Sequence, residues 1–246
     1  MRRSTLLRFA TLAFAGGLLE ALVAEGALPA YIFVRPSAMV ASVADLFRDE
    51  DLLGRLLLSL GSTVLAAGFA ILAGIPLGWA LYRYRLLGDM FGNWFAALAA
   101  APLILLYPLF LVVFGRGEPT IVAMAFLAAL VAVVLKTREG LETVRPVLRA
   151  VGRSFRLTGT QLFWKIEFPA AVPAIFTGIR LALIFALINV VGIEFLINFG
   201  GMGELIAELA DRYEIPSMDA AILFVVLVNV GFFWATEKVE QWLRPA

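Results

Sequence analysis

Residues 145–178 read RPVLRAVGRSFRLTGTQLFWKIEFPAAVPAIFTG, and this basic, amphipathic stretch stands between two strongly apolar runs. The wider segment of residues 136–168 carries seven basic and three acidic side chains, so it cannot be buried in lipid as a whole. In a chain that is otherwise mostly apolar, an amphipathic segment held in water indicates a surface on which another protein docks. A second interpretation, equally consistent with the pattern, is a basic loop that lies on anionic lipid headgroups.

The composition indicates an integral membrane protein. Of the 246 residues, 62% are hydrophobic, and the mean hydropathy is +0.93, whereas a soluble globular chain is about 45–50% apolar. The chain has no cysteine, which excludes disulfides and thiolate metal sites, and no histidine, which removes the commonest metal ligand and general base. We therefore expect neither a metal site nor catalytic residues in this chain.

Six apolar runs approach the length that crosses a membrane, which is roughly 20 residues for a helix. Their approximate bounds are residues 6–24, 56–82, 91–114, 121–135, 171–195 and 220–235. The runs are continuously apolar, whereas the strands of a membrane barrel alternate apolar and polar residues. The sequence therefore predicts an all-α polytopic membrane protein with about six transmembrane helices and a short cytoplasmic helix between helices 4 and 5.

The distribution of positive charge predicts the orientation of these helices. With the N-terminus inside, 14 of the 20 Lys and Arg residues fall on the cytoplasmic side, five fall outside, and Arg180 lies within the fifth run. Cytoplasmic loops of membrane proteins are enriched in these residues. We therefore expect both termini in the cytoplasm. The net charge of +1 points to no partner, and nucleic acid is not expected to be one.

The first run has a second interpretation. Residues 1–17, MRRSTLLRFATLAFAGG, have the basic start and apolar middle of a cleaved signal peptide, of the twin-arginine type. Cleavage would place the new N-terminus outside and leave the other five helices in position.

Two longer segments lie on the predicted outer side. The first, residues 25–55, contains PSAMVASVADLF, which predicts a short amphipathic helix opened by Pro36 and Ser37. The second, residues 198–219, begins with a glycine cluster that ends the fifth helix, and it continues into a short helix over ELIAELADRY. We divide the chain into residues 1–55, an N-terminal transmembrane helix with an external amphipathic segment, and residues 56–246, the transmembrane core.

Two short helices are predicted between the fourth and fifth runs. Pro146 suits the first turn of a helix that continues through about Phe155. Thr158 is a candidate N-cap for the second helix. Apolar residues recur on both at three- and four-residue spacing. These residues are Val147, Leu148, Val151 and Phe155 on the first helix, and Leu162, Phe163 and Ile166 on the second.

The second half of this segment resembles a family motif. Permeases of ATP-binding-cassette (ABC) importers carry a cytoplasmic motif written E-A-A, three residues, Gly, nine residues, I-x-L-P, and Ile166-Glu167-Phe168-Pro169 stands at its I-x-L-P end. The string TGTQLFWKIEFPAAVPAIFTGIRLAL is similar to the branch that imports nitrate, sulfonates and taurine. The resemblance runs from about Leu56 to the C-terminus. The matching residues in the string's neighbourhood are Leu157, Thr158, Gly159, Gln161, Leu162, Phe163, Lys165, Pro169, Pro173, Thr177, Gly178 and Arg180.

The first half of the motif departs from the family pattern. Arg156 stands where the family has its glycine, and Ala150, Val151 and Gly152 occupy the E-A-A positions, so the acidic residue is missing. Two interpretations are open. The partner ATPase has a compensating change, or the pore contains two different permeases of which this is one.

The resemblance implies a transport subunit. Such a permease lies in a bacterial plasma (inner) membrane and contacts its ATPase through a cytoplasmic coupling helix between membrane helices 4 and 5. It works with a cytoplasmic ABC ATPase dimer, a second permease copy or homologous permease, an extracytoplasmic solute-binding protein and membrane lipid. ATP and Mg would be bound by the ATPase, because this chain has no GxxxxGK[ST] phosphate loop and no cofactor of its own is expected. The solute implied is a small organic or anionic molecule. The residues implied to couple to the ATPase are Arg153, Ser154, Phe155, Arg156, Leu157, Thr158, Gly159, Thr160 and Gln161.

Three residues are candidates for the translocation path. Polar groups inside a membrane are costly, so they usually face a partner or a pathway, and Asn189 and Glu194 are such groups in the fifth run. Tyr107 lies between Pro102 and Pro108, where prolines bend the third run and bring aromatic side chains to a gate. Each also has a structural interpretation: an interhelix hydrogen bond for Asn189, a capped backbone or ion pair for Glu194, and packing for Tyr107.

Two other functional classes fit the residues alone. The first is a self-sufficient secondary transporter or channel with Glu194 as its proton or ion site, which would act without ATP. The second is a membrane scaffold that docks a cytoplasmic partner without transporting anything. Six helices is small for a secondary transporter, and the large basic loop would then be unexplained. A scaffold would show no substrate-dependent behaviour.

Overall fold

The computed structural model describes residues 2–29 and 32–243, and all regular structure in these residues is helical. The eleven α-helices described are α1 (Arg2–Ala24), α2 (Pro36–Arg48), α3 (Leu52–Arg83), α4 (Arg85–Ala100), α5 (Tyr107–Phe114), α6 (Glu118–Glu142), α7 (Pro146–Ser154), α8 (Gly159–Leu162), α9 (Phe168–Ile197), α10 (Gly201–Asp211) and α11 (Ile215–Leu243). A 3₁₀ turn (Leu103–Leu106) precedes α5, and a π-helical turn (Phe163–Glu167) joins α8 to α9. The predicted all-α class is confirmed.

Four helical stretches in the described part of the chain are long and apolar enough to cross a membrane. They are Leu52–Arg83, Glu118–Glu142, Gly159–Ile197 and Ile215–Lys238. In the first helix the side chains of Ala13–Ala24 are described without a gap, and this apolar stretch alone is shorter than a full span. By length and composition the described residues therefore hold four candidate spans, or five if the bent pair in the third run is one span, and the predicted number of six is not confirmed.

The third apolar run departs from the prediction of one helix over residues 91–114. The chain bends by 95° between α4 and the helical stretch Leu103–Phe114. Pro102 is the physical cause, because a proline removes a backbone donor and forces the residue before it out of the helical region. Ala101 accordingly has an extended conformation, with φ −77° and ψ 140°. Pro76, by contrast, remains inside the continuous helix α3.

The main core is formed by α3, α6 and α9, with α6 between the other two. Small residues bring these helices close together, as is typical of membrane helices. A methyl group on Gly78 of α3 would lie 2.7 Å from the carbonyl oxygen of Val134, and one on Gly140 of α6 would lie 2.7 Å from the Cβ of Ala174. This close contact fixes α6 against both neighbours.

A second core joins the predicted external helices to the ends of α3 and α11. Leu46 of α2, Leu52 of α3 and Leu205 of α10 are buried together there. Charged pairs surround this core. They are Arg55 with Glu204 and Glu208, and Arg212 with Glu50 and Glu208. The hydrogen bond from Arg212 to Glu50 raises the pKa of that guanidinium. The predicted helices in both outer segments are confirmed as α2 and α10.

Candidate functional site

Helix α7 presents an apolar ridge that nothing in the described chain covers. Pro146 stands at its first turn, as expected from the sequence. Val147, Val151 and Phe155 project from it with 58%, 45% and 77% of their surfaces exposed. The opposite side of the helix is packed on the protein at Gly152, which is buried. A short amphipathic helix fixed on one side and exposed on its apolar side has the form of a docking element.

The end of α7 explains why the family motif has a glycine at the position of Arg156. The amide of Leu157 donates to the carbonyl of Gly152 at 3.2 Å, and the amide of Arg156 donates to the carbonyl of Arg153 at 2.9 Å. These two bonds form a Schellman motif, in which the residue after the cap is left-handed and usually glycine. Arg156 has φ 52°, so an arginine holds the glycine conformation here.

The next turn is capped as the sequence predicts. The Thr158 hydroxyl accepts from the amide of Gln161, and the Gln161 side chain accepts from the amide of Thr158 at 3.0 Å, which completes a capping box. Residues 153–161, the docking strip, are therefore ordered by local bonds rather than by burial. Eight of these nine residues are exposed, and Leu157 is half-buried.

A polar cluster that the sequence did not reveal lies beneath the docking strip. The guanidinium of Arg149 donates to the Glu167 carboxylate at 2.8 Å, to the Tyr82 hydroxyl at 3.1 Å and to the carbonyl of Leu141 at 2.7 Å. The Tyr82 hydroxyl donates to the same Glu167 oxygen at 2.9 Å. We name these four residues the clasp. Glu167 had appeared only as the variable position of the I-x-L-P motif, and Tyr82 lies 67 residues from Arg149 in sequence.

Glu194 is enclosed within the described chain, with 2% of its surface exposed. Its carboxylate accepts from the Ser59 hydroxyl at 2.7 Å and from the amide of Gly203 at 3.0 Å, while the amide of Met202 donates to Ser59 at 2.8 Å. These are the contacts of a helix cap at the start of α10, where exposed amides favour a negative group. In this conformation the carboxylate faces no open space, and its place in a translocation path stays a prediction.

Asn189 and Tyr107 occupy different surroundings. Asn189 donates to the carbonyl of Phe185 in its own helix at 2.9 Å and borders a cavity of about 450 Å³. That cavity lies between α4, α6 and α9 and also includes Lys136 in its lining. Tyr107 is half-buried against the main core at the start of α5. The structure thus does not place Tyr107, Asn189 and Glu194 in one cavity.

The chain is similar to characterised permeases over most of its length. It is 31% identical to the osmoprotectant import permease protein OsmW of Salmonella typhimurium, over 74% of this chain and 86% of that protein. It is 31% identical to the nitrate import permease protein NrtB of Synechocystis, over 75% of this chain and 68% of that protein. It is 25% identical to the bicarbonate transport system permease protein CmpB of Synechococcus elongatus, over 79% of this chain and 70% of that protein.

The fold is also that of a solved transporter. The chain superposes on a chain of the MetNI methionine ABC transporter with a TM-score of 0.70 and 17% identity, covering 79% of this chain and 96% of that one. Residues 55–245 match the family described as "Binding-protein-dependent transport system inner membrane component". The predicted resemblance to permeases of ABC importers is therefore confirmed, and the two alternative classes, a secondary transporter or channel and a non-transporting scaffold, are set aside. The chain is a member of this family, a permease subunit of an ABC importer.

Proposed function

We propose that this permease receives a separate cytoplasmic ABC ATPase on the docking strip, residues 153–161, and on the ridge of α7 beside it. The observation that carries the proposal is the exposure of Val147, Val151 and Phe155 on a helix whose other side packs at Gly152 against Leu162 and Ile166. Burying such a ridge in a partner's groove removes apolar area from water at about 25 cal/mol per Å². ATP and Mg belong to that partner, and this chain binds neither.

The positive charge of the docking strip indicates that the groove of the partner is acidic. Arg153 and Arg156 are exposed, and residues 146–161 contain no acidic residue. The groove that receives these two arginines therefore presents carboxylates. We expect the complex to dissociate more readily as salt rises, since exposed charge pairs are screened over about 8–10 Å at 0.1–0.15 M salt. A complex held equally well in 0.05 M and 0.5 M salt would contradict the acidic groove.

The cytoplasmic location of the ATPase also sets the orientation of this chain in the membrane. The ATPase is cytoplasmic, so the loop from α6 to α9 and both termini lie inside, in agreement with the positive charge on that side. The segments around α2 and α10 then face outward and receive a solute-binding protein. A second copy of this chain, or a homologous permease, completes the translocation path in the inner membrane. Asn189, Tyr107 and Glu194 remain our candidates for that path.

The solute we propose is a small organic or anionic molecule. The cavity beside Asn189 holds about 450 Å³ and is lined mainly by apolar side chains, with Lys136 as the one cation in its lining. Curated relatives are named for osmoprotectant, nitrate and bicarbonate transport, and all of these solutes are small. Nitrate, bicarbonate and glycine betaine are the first probes to test.

The experiment that tests the function is affinity purification of the tagged chain from its native membrane in a mild detergent. We expect an ABC ATPase in a stoichiometric amount, and a second permease in equal abundance if the pore is heteromeric. The purified complex, supplied with its binding protein in liposomes, should take up one of the three probes only when ATP is inside. A pure, stable chain without an ATPase would overturn the proposal.

A further inference from the structure

The clasp joins four elements of the protein at one point. Arg149 comes from α7, Glu167 from the π-helical turn, Tyr82 from the end of α3 and Leu141 from the end of α6. Arg149, which precedes the docking strip, is therefore bonded to the ends of both α3 and α6. Glu167, which follows the docking strip, is bonded to Arg149 and to the end of α3. The docking strip lies between Arg149 and Glu167 in sequence, so its displacement acts on both ends of the clasp.

The hydrogen bonds of the clasp restrict how α7 can move relative to α3 and α6. Apolar contacts are non-directional and allow two surfaces to slide, whereas charge-assisted hydrogen bonds restrict both distance and angle. Arg149 uses its Nε on Glu167 and its Nη2 on both Tyr82 and Leu141. The side chains of Arg149 and Glu167 are 23% and 12% exposed, so water screens their interaction less than it screens a surface pair. Movement of α7 relative to α3 must break these bonds or carry α3 with it.

The packing around the clasp makes α7, α8 and the start of α9 move together. A methyl group on Gly152 of α7 would overlap the side chain of Leu162 and lie 2.7 Å from the Cδ1 of Ile166. The π-helical turn continues directly into α9, which is packed along α6. Helix α7, α8 and the base of α9 therefore form one closely packed unit, and the clasp is its polar connection to α3 and α6.

We infer that Arg149 and Glu167 are positioning residues that transmit movement of the docking strip to α3, α6 and α9. This inference rests on the proposed function, because the movement originates in the ATPase. Without the clasp, the ATPase still binds the exposed ridge and still hydrolyses ATP, but the membrane helices respond to its cycle weakly. The expected defect is thus a loss of coupling rather than a loss of assembly.

The absence of cysteine in the sequence provides a direct readout. Asn189→Cys places a single thiol at the cavity, and a membrane-impermeant thiol reagent reports its accessibility in the complete permease–ATPase complex in liposomes. In the parent reporter we expect trapping with ATP and vanadate to change the labelling rate by about fivefold or more. Arg149→Lys and Glu167→Gln should reduce this response to less than about twofold, while ATPase activity per complex stays within about twofold of the parent.

Two further variants keep the test decisive. Tyr82→Phe removes one hydroxyl and preserves the ring, so it should assemble normally and give an intermediate response. Arg85→Lys is the matched control, because the Arg85 side chain is 96% exposed and, within the described residues, pairs with Asp89 of its own helix. It should retain the full response. If Arg149→Lys or Glu167→Gln fails to assemble, the response of Tyr82→Phe tests the role of the clasp instead.

The outcomes separate the two proposals. Clasp variants that retain the full nucleotide response, or that lose response and ATPase activity in the same proportion, would overturn the role of the clasp. A parent complex that shows no nucleotide response, or that contains no ATPase, would instead overturn the proposed function, whatever the variants do.

Discussion

The hydroxyl of Ser59 in α3 lies 2.7 Å from the carboxylate of Glu194 in α9, and both side chains are buried. Through this pair, the end of α9 is bonded to α3 and to the first amides of α10. A buried carboxylate requires such donors, because an unsatisfied charged group in an apolar interior is very costly. The pair therefore connects three helices at the end of the bundle opposite to the clasp.

Ser59→Ala should destabilise the protein. The change removes a donor from Glu194 and leaves the amide of Met202 without its acceptor, at a cost of about 1–3 kcal/mol for each buried group left unsatisfied. The apparent melting temperature in detergent should fall clearly. Ser42→Ala is the control, since the Ser42 hydroxyl bonds only to Ala38 of its own helix in the described contacts. Equal melting temperatures for the two variants would refute the importance of the Ser59–Glu194 bond.

Gly203→Ala should be among the most damaging small substitutions in the chain. Its methyl group would overlap the carbonyl oxygen of Val191 and lie 2.5 Å from the amide nitrogen of Phe195. These are backbone atoms of α9 and cannot rotate away, so we expect a loss of about 1–3 kcal/mol or more.

Gly231→Ala is the matched control for this substitution. No atom lies within 4 Å of the position that its methyl group would take, and the residue is inside helix α11. Alanine there should be neutral or stabilising by up to about 1 kcal/mol. Thermal unfolding of both variants in the same detergent checks the contrast, and equal stability would show that α10 does not pack this closely on α9.

Arg156→Gly should stabilise the end of α7. A left-handed conformation costs a residue with a Cβ roughly 1–2 kcal/mol, of which the greater freedom of glycine in the unfolded chain cancels about 0.4–1 kcal/mol. A net gain of about 0.5–1 kcal/mol is expected. Arg156→Ala keeps the Cβ and should bring no such gain. If alanine stabilises the protein as much as glycine does, loss of the positive charge is the cause, and the conformational explanation is wrong.

Phe155→Ala should weaken binding of the ATPase without unfolding the permease. Phe155 is 77% exposed on the ridge, and a central aromatic anchor contributes about 2 kcal/mol to an interface, which is roughly a 30-fold change in affinity. The ATPase recovered with the tagged chain measures the effect. Phe14→Ala removes a similarly exposed ring, 71% exposed, from α1 and should leave recovery unchanged. Equal recovery from both variants would place the partner elsewhere.

Local features of the coupling region, residues 136–168, could be predicted because their causes are local. Pro146 begins α7, and Thr158 and Gln161 cap α8, through contacts within three residues. The glycine position of the family motif is likewise explained by two hydrogen bonds within one helical turn. The bend in the third run was only partly predicted. Pro102 indicated a break, but an apolar pattern is the same for a straight span and for two helices at 95°.

The sequence by itself determined the all-α membrane class, the short helices of the coupling region and membership of the permease family, since these follow from apolar run length, proline and capping positions, and motif spacing. Only the tertiary structure decided the partners of the charged residues. Glu194 is paired with Ser59 across 135 residues, and Arg149 with Tyr82 across 67. A polar residue in an apolar run has the same sequence pattern whether it lines a path or caps a neighbouring helix. The packing of α3, α6 and α9 determines which donors come within hydrogen-bond distance.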